Sequence, residues 1–155
     1  MELDSLYQQV ILDHYKNPHH KGLPEKAIQV HHVNPNCGDE ITLSLHINNG
    51  MVDDLIWDGV GCSISQASAS IMSDLVAGKE LKEAFAILDE FTTLMQSKGT
   101  SEGNEAVLED AIALAGVSKF PARVKCALLG WMAFKDAALQ AHGGAIATAD
   151  GEINE

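Results

Sequence analysis

Hydrophobic and polar positions alternate with two different periods along the chain, and the change of period divides it into regions. Residues 4–16 repeat with the period of an amphipathic helix, which Asp4 is placed to cap and Pro18 and Gly22 to end. The positions predicted to form its apolar face are Leu6, Tyr7, Val10, Ile11 and Tyr15.

Strand periodicity follows this first helix. Residues 27–34 favour a strand weakly, whereas residues 41–48 alternate strictly between apolar and polar side chains. Asn48-Asn49-Gly50 is typical of a hairpin turn, because Asn and Gly tolerate positive φ. A returning strand is predicted over 51–58, which gives an antiparallel sheet of about three strands.

Helical periodicity dominates the second half of the chain. Helices are predicted over 63–77, 79–98, 104–115 with Asn104 as its cap, and 121–142 with Pro121 in the first turn. The order of elements predicts an α+β fold with helices packed on one face of the sheet. We expect one domain over residues 1–142 and a disordered acidic tail over 143–155.

Composition and charge narrow the possible partners. The chain is 46% hydrophobic and carries 22 acidic against 10 basic residues, a net charge of -12. Without a basic stripe, nucleic acid and anionic membranes are disfavoured as partners, and a protein with a positive patch is favoured. The N-terminus shows no basic segment followed by an apolar one, and no apolar run could span a bilayer, so a cytoplasmic location is expected.

The three cysteines occupy predicted loops or helix starts. Cys37 lies in NPNCGD, Cys62 in GVGC at a strand-to-helix junction, and Cys126 in the first turns of the last helix. Asp39 adds a carboxylate two residues after Cys37, and Gly38 between them allows a tight turn. Three thiolates and a carboxylate suit tetrahedral zinc. The spacing is not that of a zinc finger, so the residues alone leave metal binding and structural burial equally open.

Two basic residues lie close to Cys126 in the sequence, and seven histidines are spread along the chain. Arg123 precedes Cys126 by three positions, and either a structural salt bridge or a role in offsetting an anionic site would explain it. Lys125 is adjacent to Cys126 and could act in the same way. His31 and His32 are near Cys37 in sequence and could be spare ligands, but for every histidine an ordinary surface position is favoured over a role as ligand: His14, His19, His20, His31, His32, His46 and His142.

Four segments resemble one protein family in order and content. LYQQVILDHYKNPHHKG, NPNCGD, DGVGCSISQASAS and SKFPARVKCALLGW are similar to segments of the SufU family of zinc-dependent sulfurtransferases, within the wider IscU-like group of iron–sulfur assembly proteins. The resemblance runs from residue 5 to about residue 140. It implies an IscU/SufU-like fold and a site of one zinc per chain held by Cys37, Asp39, Cys62 and Cys126.

The resemblance also implies an activity and partners. Cys37 would accept sulfane sulfur from the persulfide of a PLP-dependent cysteine desulfurase of the SufS type and pass it toward a downstream iron–sulfur scaffold. In the mechanism proposed for the family, a desulfurase histidine replaces the acceptor cysteine on zinc and so releases a nucleophilic thiolate.

Two alternatives to the sulfurtransferase remain. The first is a scaffold that assembles a [2Fe–2S] cluster, because thiolates also bind iron. IscU-type scaffolds have a histidine before the third cysteine where this chain has Lys125, a proline-rich stretch where it has SKFPAR, and a shorter segment between Cys62 and Cys126. All three differences favour the sulfurtransferase. The second alternative is a binding module with a purely structural zinc.

Overall fold

Three strands and five α-helices form from the residues that a computed structural model of the protein describes, which are 5–23, 28–35 and 38–141. In chain order they are α1 Ser5–Lys16, β1 Ile28–Asn34, β2 Asp39–Asn48, β3 Met51–Val60, α2 Ser63–Val76, α3 Leu81–Met95, α4 Glu105–Leu108, a 3₁₀ segment Glu109–Lys119 and α5 Pro121–Ala141. The predicted α+β class is confirmed. The predicted tail, residues 143–155, lies outside the described residues and stays a prediction.

The sheet is antiparallel with strand order β1-β2-β3. Val30, Leu43 and Trp57 lie side by side across it and are all buried, so the predicted alternation sets which face of the sheet the core covers. The hairpin between β2 and β3 turns at Asn49 and Gly50, with φ of 55° and 76°. Both values are those of the predicted turn.

Helix α5 is the element that covers the sheet, packing on β1 and β2, with α2 beside it. Gly130 makes this arrangement possible, because a Cβ at that position would lie 3.1 Å from Ala69 Cβ on α2. Small residues therefore set the distance between the two helices. None of the described helices is both long and apolar enough to cross a bilayer.

A buried hydroxyl joins α2 to α5. Ser68 Oγ donates to the Ala127 carbonyl at 2.6 Å and accepts from Trp131 Nε1 at 3.0 Å. The Trp131 ring stacks on Phe91 of α3 with centroids 4.2 Å apart. One serine thereby satisfies the only polar atom of a large core side chain and fixes the helix register.

The structure corrects two expectations about the helices. Leu6 and Tyr15 are 66% and 45% exposed rather than part of the buried face of α1, where His14 and Ile11 are the buried residues. The predicted helix 104–115 is an α-turn that breaks at Glu109, with φ of 46°, and continues as 3₁₀.

The spacing of buried residues in the 3₁₀ segment explains the second correction. Ala111, Leu114 and Val117 are buried three positions apart, which is the repeat of a 3₁₀ helix. The Asn104 cap is confirmed by its side chain, which accepts from Ala106 N. The Asp4 cap falls outside the described residues.

Ser68→Ala should destabilise the protein by about 1–3 kcal/mol, because it leaves the buried Trp131 N–H without an acceptor. Urea unfolding followed by tryptophan fluorescence measures this loss. Thr93→Ala, at an exposed position of α3, is the control and should change stability by less than about 0.5 kcal/mol. Equal stability of the two variants would contradict the bridging role of Ser68.

Candidate functional site

Asp39 is the most deeply buried polar group at the end of the sheet where β2 begins. Gly38 before it has φ of +73°, a conformation that favours glycine, and turns the chain into the strand. The Asp39 side chain is 0% exposed, and its Oδ1 accepts the Cys62 backbone N–H at 2.9 Å. Among the described residues the carboxylate makes no ion pair.

Cys62 reaches Asp39 from the start of α2. It occupies the N-cap position of that helix, and its Sγ lies 3.9 Å from Asp39 Oδ2. A helix N-terminus stabilises a thiolate. Gly61 allows the approach, since a Cβ there would lie 2.3 Å from Asp39 Oδ1.

Cys126 completes the group from the second turn of α5. Its side chain is fully buried, and its Sγ lies 3.6 Å from the Ala122 carbonyl oxygen. One ligand atom from each of Asp39, Cys62 and Cys126 lies within 4.8 Å of the others. The structure thus brings together three of the four residues predicted to hold a metal.

The fourth predicted ligand, Cys37, lies outside the described residues, so its role stays a prediction. It is one residue away from Gly38 and two from Asp39 in the chain.

The donor set of the described residues fits a thiophilic dication. Two cysteine sulfurs and a carboxylate oxygen are ligands that zinc accepts, and they come from the start of β2, the start of α2 and the second turn of α5. A buried carboxylate without a cationic partner costs free energy, which a bound cation would offset. This is a physical reason, independent of any motif, to expect a cation at Asp39.

Arg123 and Lys125 are exposed in the first turns of α5. Neither forms an ion pair within the part of the chain that the structure describes, so the structural salt bridge considered for Arg123 has no partner there. Positive charge in the first turn of a helix opposes the helix dipole. The position of Arg123 is therefore not explained by the stability of α5.

The interpretation of the histidines as surface residues is wrong for His14. Its side chain is buried, with Nδ1 2.7 Å from Ser70 Oγ and Nε2 3.3 Å from Asp110 Oδ2. The exposure of His46 is as predicted, and His142 lies outside the described residues. Nothing in the local pattern of α1 distinguishes His14 from its neighbours, because its partners are 56 and 96 residues away.

His32 links β1 to α5 through Asp136. Its Nε2 lies 2.9 Å from Asp136 Oδ2. Burial raises the pKa of Asp136, but hydrogen bonds from His32 and Gln140 and the positive charge of His32 outweigh that effect and leave the pKa below its ordinary value.

Comparison with known proteins places this geometry in a family. Residues 6–127 match the family model of the NifU-like N-terminal domain. The zinc-dependent sulfurtransferase SufU of Bacillus subtilis (strain 168) is 45% identical over 92% of this chain and 95% of its own. The iron–sulfur cluster assembly scaffold protein IscU of Streptococcus pyogenes serotype M1 is 42% identical over 88% of this chain and 84% of its own.

A solved structure agrees with these relatives. The crystal structure of an iron–sulfur cluster assembly scaffold protein for the SUF system from Fervidobacterium islandicum AW-1 has a TM-score of 0.75 and 32% identity, covering 86% of this chain and 97% of that one. The resemblance to SufU and the IscU-like group is confirmed. The chain belongs to the NifU-like N-terminal domain family, in which these relatives are named for iron–sulfur cluster assembly and sulfur transfer.

Proposed function

We propose that this protein is a zinc-dependent sulfur acceptor, which takes persulfide sulfur from a PLP-dependent cysteine desulfurase of the SufS type for iron–sulfur cluster assembly. The observation that carries the proposal is the convergence of Asp39, Cys62 and Cys126 beside the chain segment that contains Cys37. The name of the Bacillus subtilis relative, at 45% identity, supports the same activity.

The site would hold one zinc through Cys37, Asp39, Cys62 and Cys126. Bound zinc would keep the cysteines as thiolates at neutral pH and compensate the buried carboxylate. The fold determines where the ligands lie. The N-terminus of α2 positions Cys62, α5 positions Cys126, and the Cys62 amide orients Asp39.

Cys37 is assigned as the sulfur acceptor, because the other two cysteines are held in place. Cys126 is fully buried within α5, and Cys62 is fixed at the start of α2 by the hydrogen bond from its amide to Asp39. Pro35 and Gly38, which flank the acceptor, are typical of a loop.

The transfer follows the chemistry of thiol–disulfide exchange. The Cys37 thiolate attacks the terminal sulfur of the desulfurase persulfide and forms a new S–S bond. The S–S bond of the desulfurase breaks, and its electron pair leaves on the desulfurase cysteine. Sulfur is moved as a neutral atom, so no external oxidant or reductant is needed.

A groove between β1 and α5 offers a surface for the desulfurase, and its lining includes Pro35, which precedes Cys37 by two positions in the sequence. Pro35, Lys125, Leu128 and Met132 are among its lining residues. The net charge of -12 favours a partner with a positive patch around its persulfide-bearing segment.

A [2Fe–2S] scaffold is the second candidate, favoured by the name of the Streptococcus pyogenes relative at 42% identity. Lys125 precedes Cys126 where a scaffold of the IscU type would have histidine. An ammonium group is not a metal ligand, so this position gives the scaffold no additional donor.

Cys37→Ala should abolish sulfur acceptance, because the variant lacks the attacking thiolate. The measurement uses the desulfurase with radiolabelled cysteine and follows label on the chain under non-reducing conditions. Wild-type protein should take up about one sulfur per chain and raise desulfurase turnover, and the variant should do neither.

Two controls make this test specific. The circular dichroism of Cys37→Ala should match that of wild type, and anaerobically purified wild type should contain one zinc per chain without iron or acid-labile sulfide. Stoichiometric label on Cys37→Ala would refute the acceptor assignment, whereas iron with matching sulfide would establish the scaffold.

Gly61→Ala should lower zinc affinity by about tenfold or more, because the new Cβ displaces Asp39 Oδ1. Competition with a chromophoric chelator measures the change. Gly22→Ala is the matched control, since its Cβ would meet Ile56 Cγ2 at an ordinary 3.6 Å. Unchanged zinc affinity in Gly61→Ala would argue against Asp39 as a ligand.

Arg123→Ala should slow sulfur acceptance by about tenfold while zinc stays bound, because Arg123 offsets the negative charge of the thiolates without acting as a ligand. Lys82→Ala removes an exposed positive charge from α3 and is the control for net charge. Loss of zinc and fold together in Arg123→Ala would instead indicate a structural role.

A further inference from the structure

A second group of potential metal ligands lies at the other end of α2. One ligand atom from each of His14, His19 and Asp74 lies within 4.8 Å of the others. Asp74 follows Cys62 by twelve positions, which places it about 18 Å further along the helix axis. The two groups therefore share no residue and would bind ions independently.

Both ring nitrogens of His14 are held in place by neighbouring side chains. Ser70 Oγ accepts the His19 backbone N–H at 2.8 Å, so the Ser70 hydroxyl hydrogen is available for His14 Nδ1 at 2.7 Å. Nε2 then carries the ring proton and donates to Asp110 Oδ2 at 3.3 Å. The Nδ1 lone pair accepts from Ser70, so an ion at Nδ1 would replace that hydrogen bond. Asp110 would keep hold of Nε2, and a carboxylate on the second ring nitrogen is the usual support of a metal-bound histidine.

His19 is held by the core through its backbone. Its carbonyl accepts from Trp57 Nε1 at 2.9 Å and from Ser73 Oγ at 3.1 Å, and its N–H donates to Ser70. His20 after it has φ of 60°, which is unusual for a residue with a side chain and shows that the surroundings determine this turn. The His19 imidazole is therefore presented from a fixed position.

Asp74 occupies a position where a cation is favoured. It lies in the last turn of α2, whose dipole disfavours a carboxylate. It pairs with His19 Nδ1, and its Oδ1 lies 3.3 Å from His20 Nε2. A divalent ion bound there would compensate the carboxylates of Asp74 and Asp110, which both reach the histidines of this group.

We propose that His14, His19 and Asp74 form a second metal site for a divalent first-row transition ion, with His20 as a further donor and Asp110 orienting His14. Imidazole and carboxylate ligands without thiolate favour Zn²⁺, Fe²⁺, Co²⁺ or Ni²⁺ over Cu⁺ or an iron–sulfur cluster. His19 and Asp74 are 49% and 40% exposed at the side chain, so the ion can enter from solvent.

Titration of the zinc-loaded full chain with Co²⁺, followed by calorimetry and visible absorption, tests this site. Wild type should bind one Co²⁺ per chain beyond its zinc, with weak d–d bands and no thiolate-to-cobalt charge transfer. His19→Ala and Asp74→Asn should each weaken this binding at least about tenfold, and Asp110→Asn by about tenfold. His14 itself is left unchanged, because replacing a buried residue would test folding.

His46→Ala is the matched control, since His46 is an exposed histidine paired with Asp53 in the β2–β3 hairpin. It should leave Co²⁺ binding unchanged, and sulfur acceptance should survive in Asp74→Asn, which separates this site from the proposed sulfur transfer. Absence of a second equivalent in wild type, its persistence in His19→Ala and Asp74→Asn, or equal loss in His46→Ala would each overturn the proposal.

Discussion

The close contact between α2 and α5 is the constraint on which the rest of the structure depends. A Cβ at Gly130 would lie 3.1 Å from Ala69 Cβ, closer than an ordinary contact, and Ser68 bonds across the same interface. Because Cys126 precedes Gly130 by one helical turn, this contact also determines how near its sulfur comes to Cys62 and Asp39. Core packing and site geometry are thus set by the same few small residues.

The two ends of α2 lie beside different kinds of potential metal ligand. Its N-terminus meets thiols and a carboxylate from the sheet, where the helix dipole favours anionic ligands. Its C-terminal turn presents Asp74 to imidazoles, where the dipole would favour a cation. One helix could therefore support two ions of different ligand preference without competition between them.

The elements that the sequence predicted correctly are those with a local signal. The alternation in β2, the Asn49–Gly50 turn and the Asn104 cap each depend on neighbouring residues and appear as expected. The 3₁₀ segment was missed because propensity favours an α-helix there, whereas burial of residues three positions apart requires the tighter helix.

The two clusters of potential metal ligands also differ in how much local sequence signal they carry. Asp39, Cys62 and Cys126 could be selected as candidates because cysteine is rare and its neighbours are glycine or helix starts, but their convergence depends on tertiary packing. His14 and Asp110 are joined only by the fold, and no local pattern in either segment indicates the pair. The sequence therefore indicated the cluster of Asp39, Cys62 and Cys126 but not the cluster of His14, His19 and Asp74.

Asp39, Cys62 and Cys126 are far apart in the sequence, and this separation has a consequence for biosynthesis. Asp39 and Cys62 are made early, but Cys126 lies on the last helix, and its neighbours on α2 precede it by about sixty residues. A nascent chain still attached to the ribosome would carry the first ligands without the element that closes the site. If a metal binds these residues, the full set of ligands is available only after α5 has been synthesised.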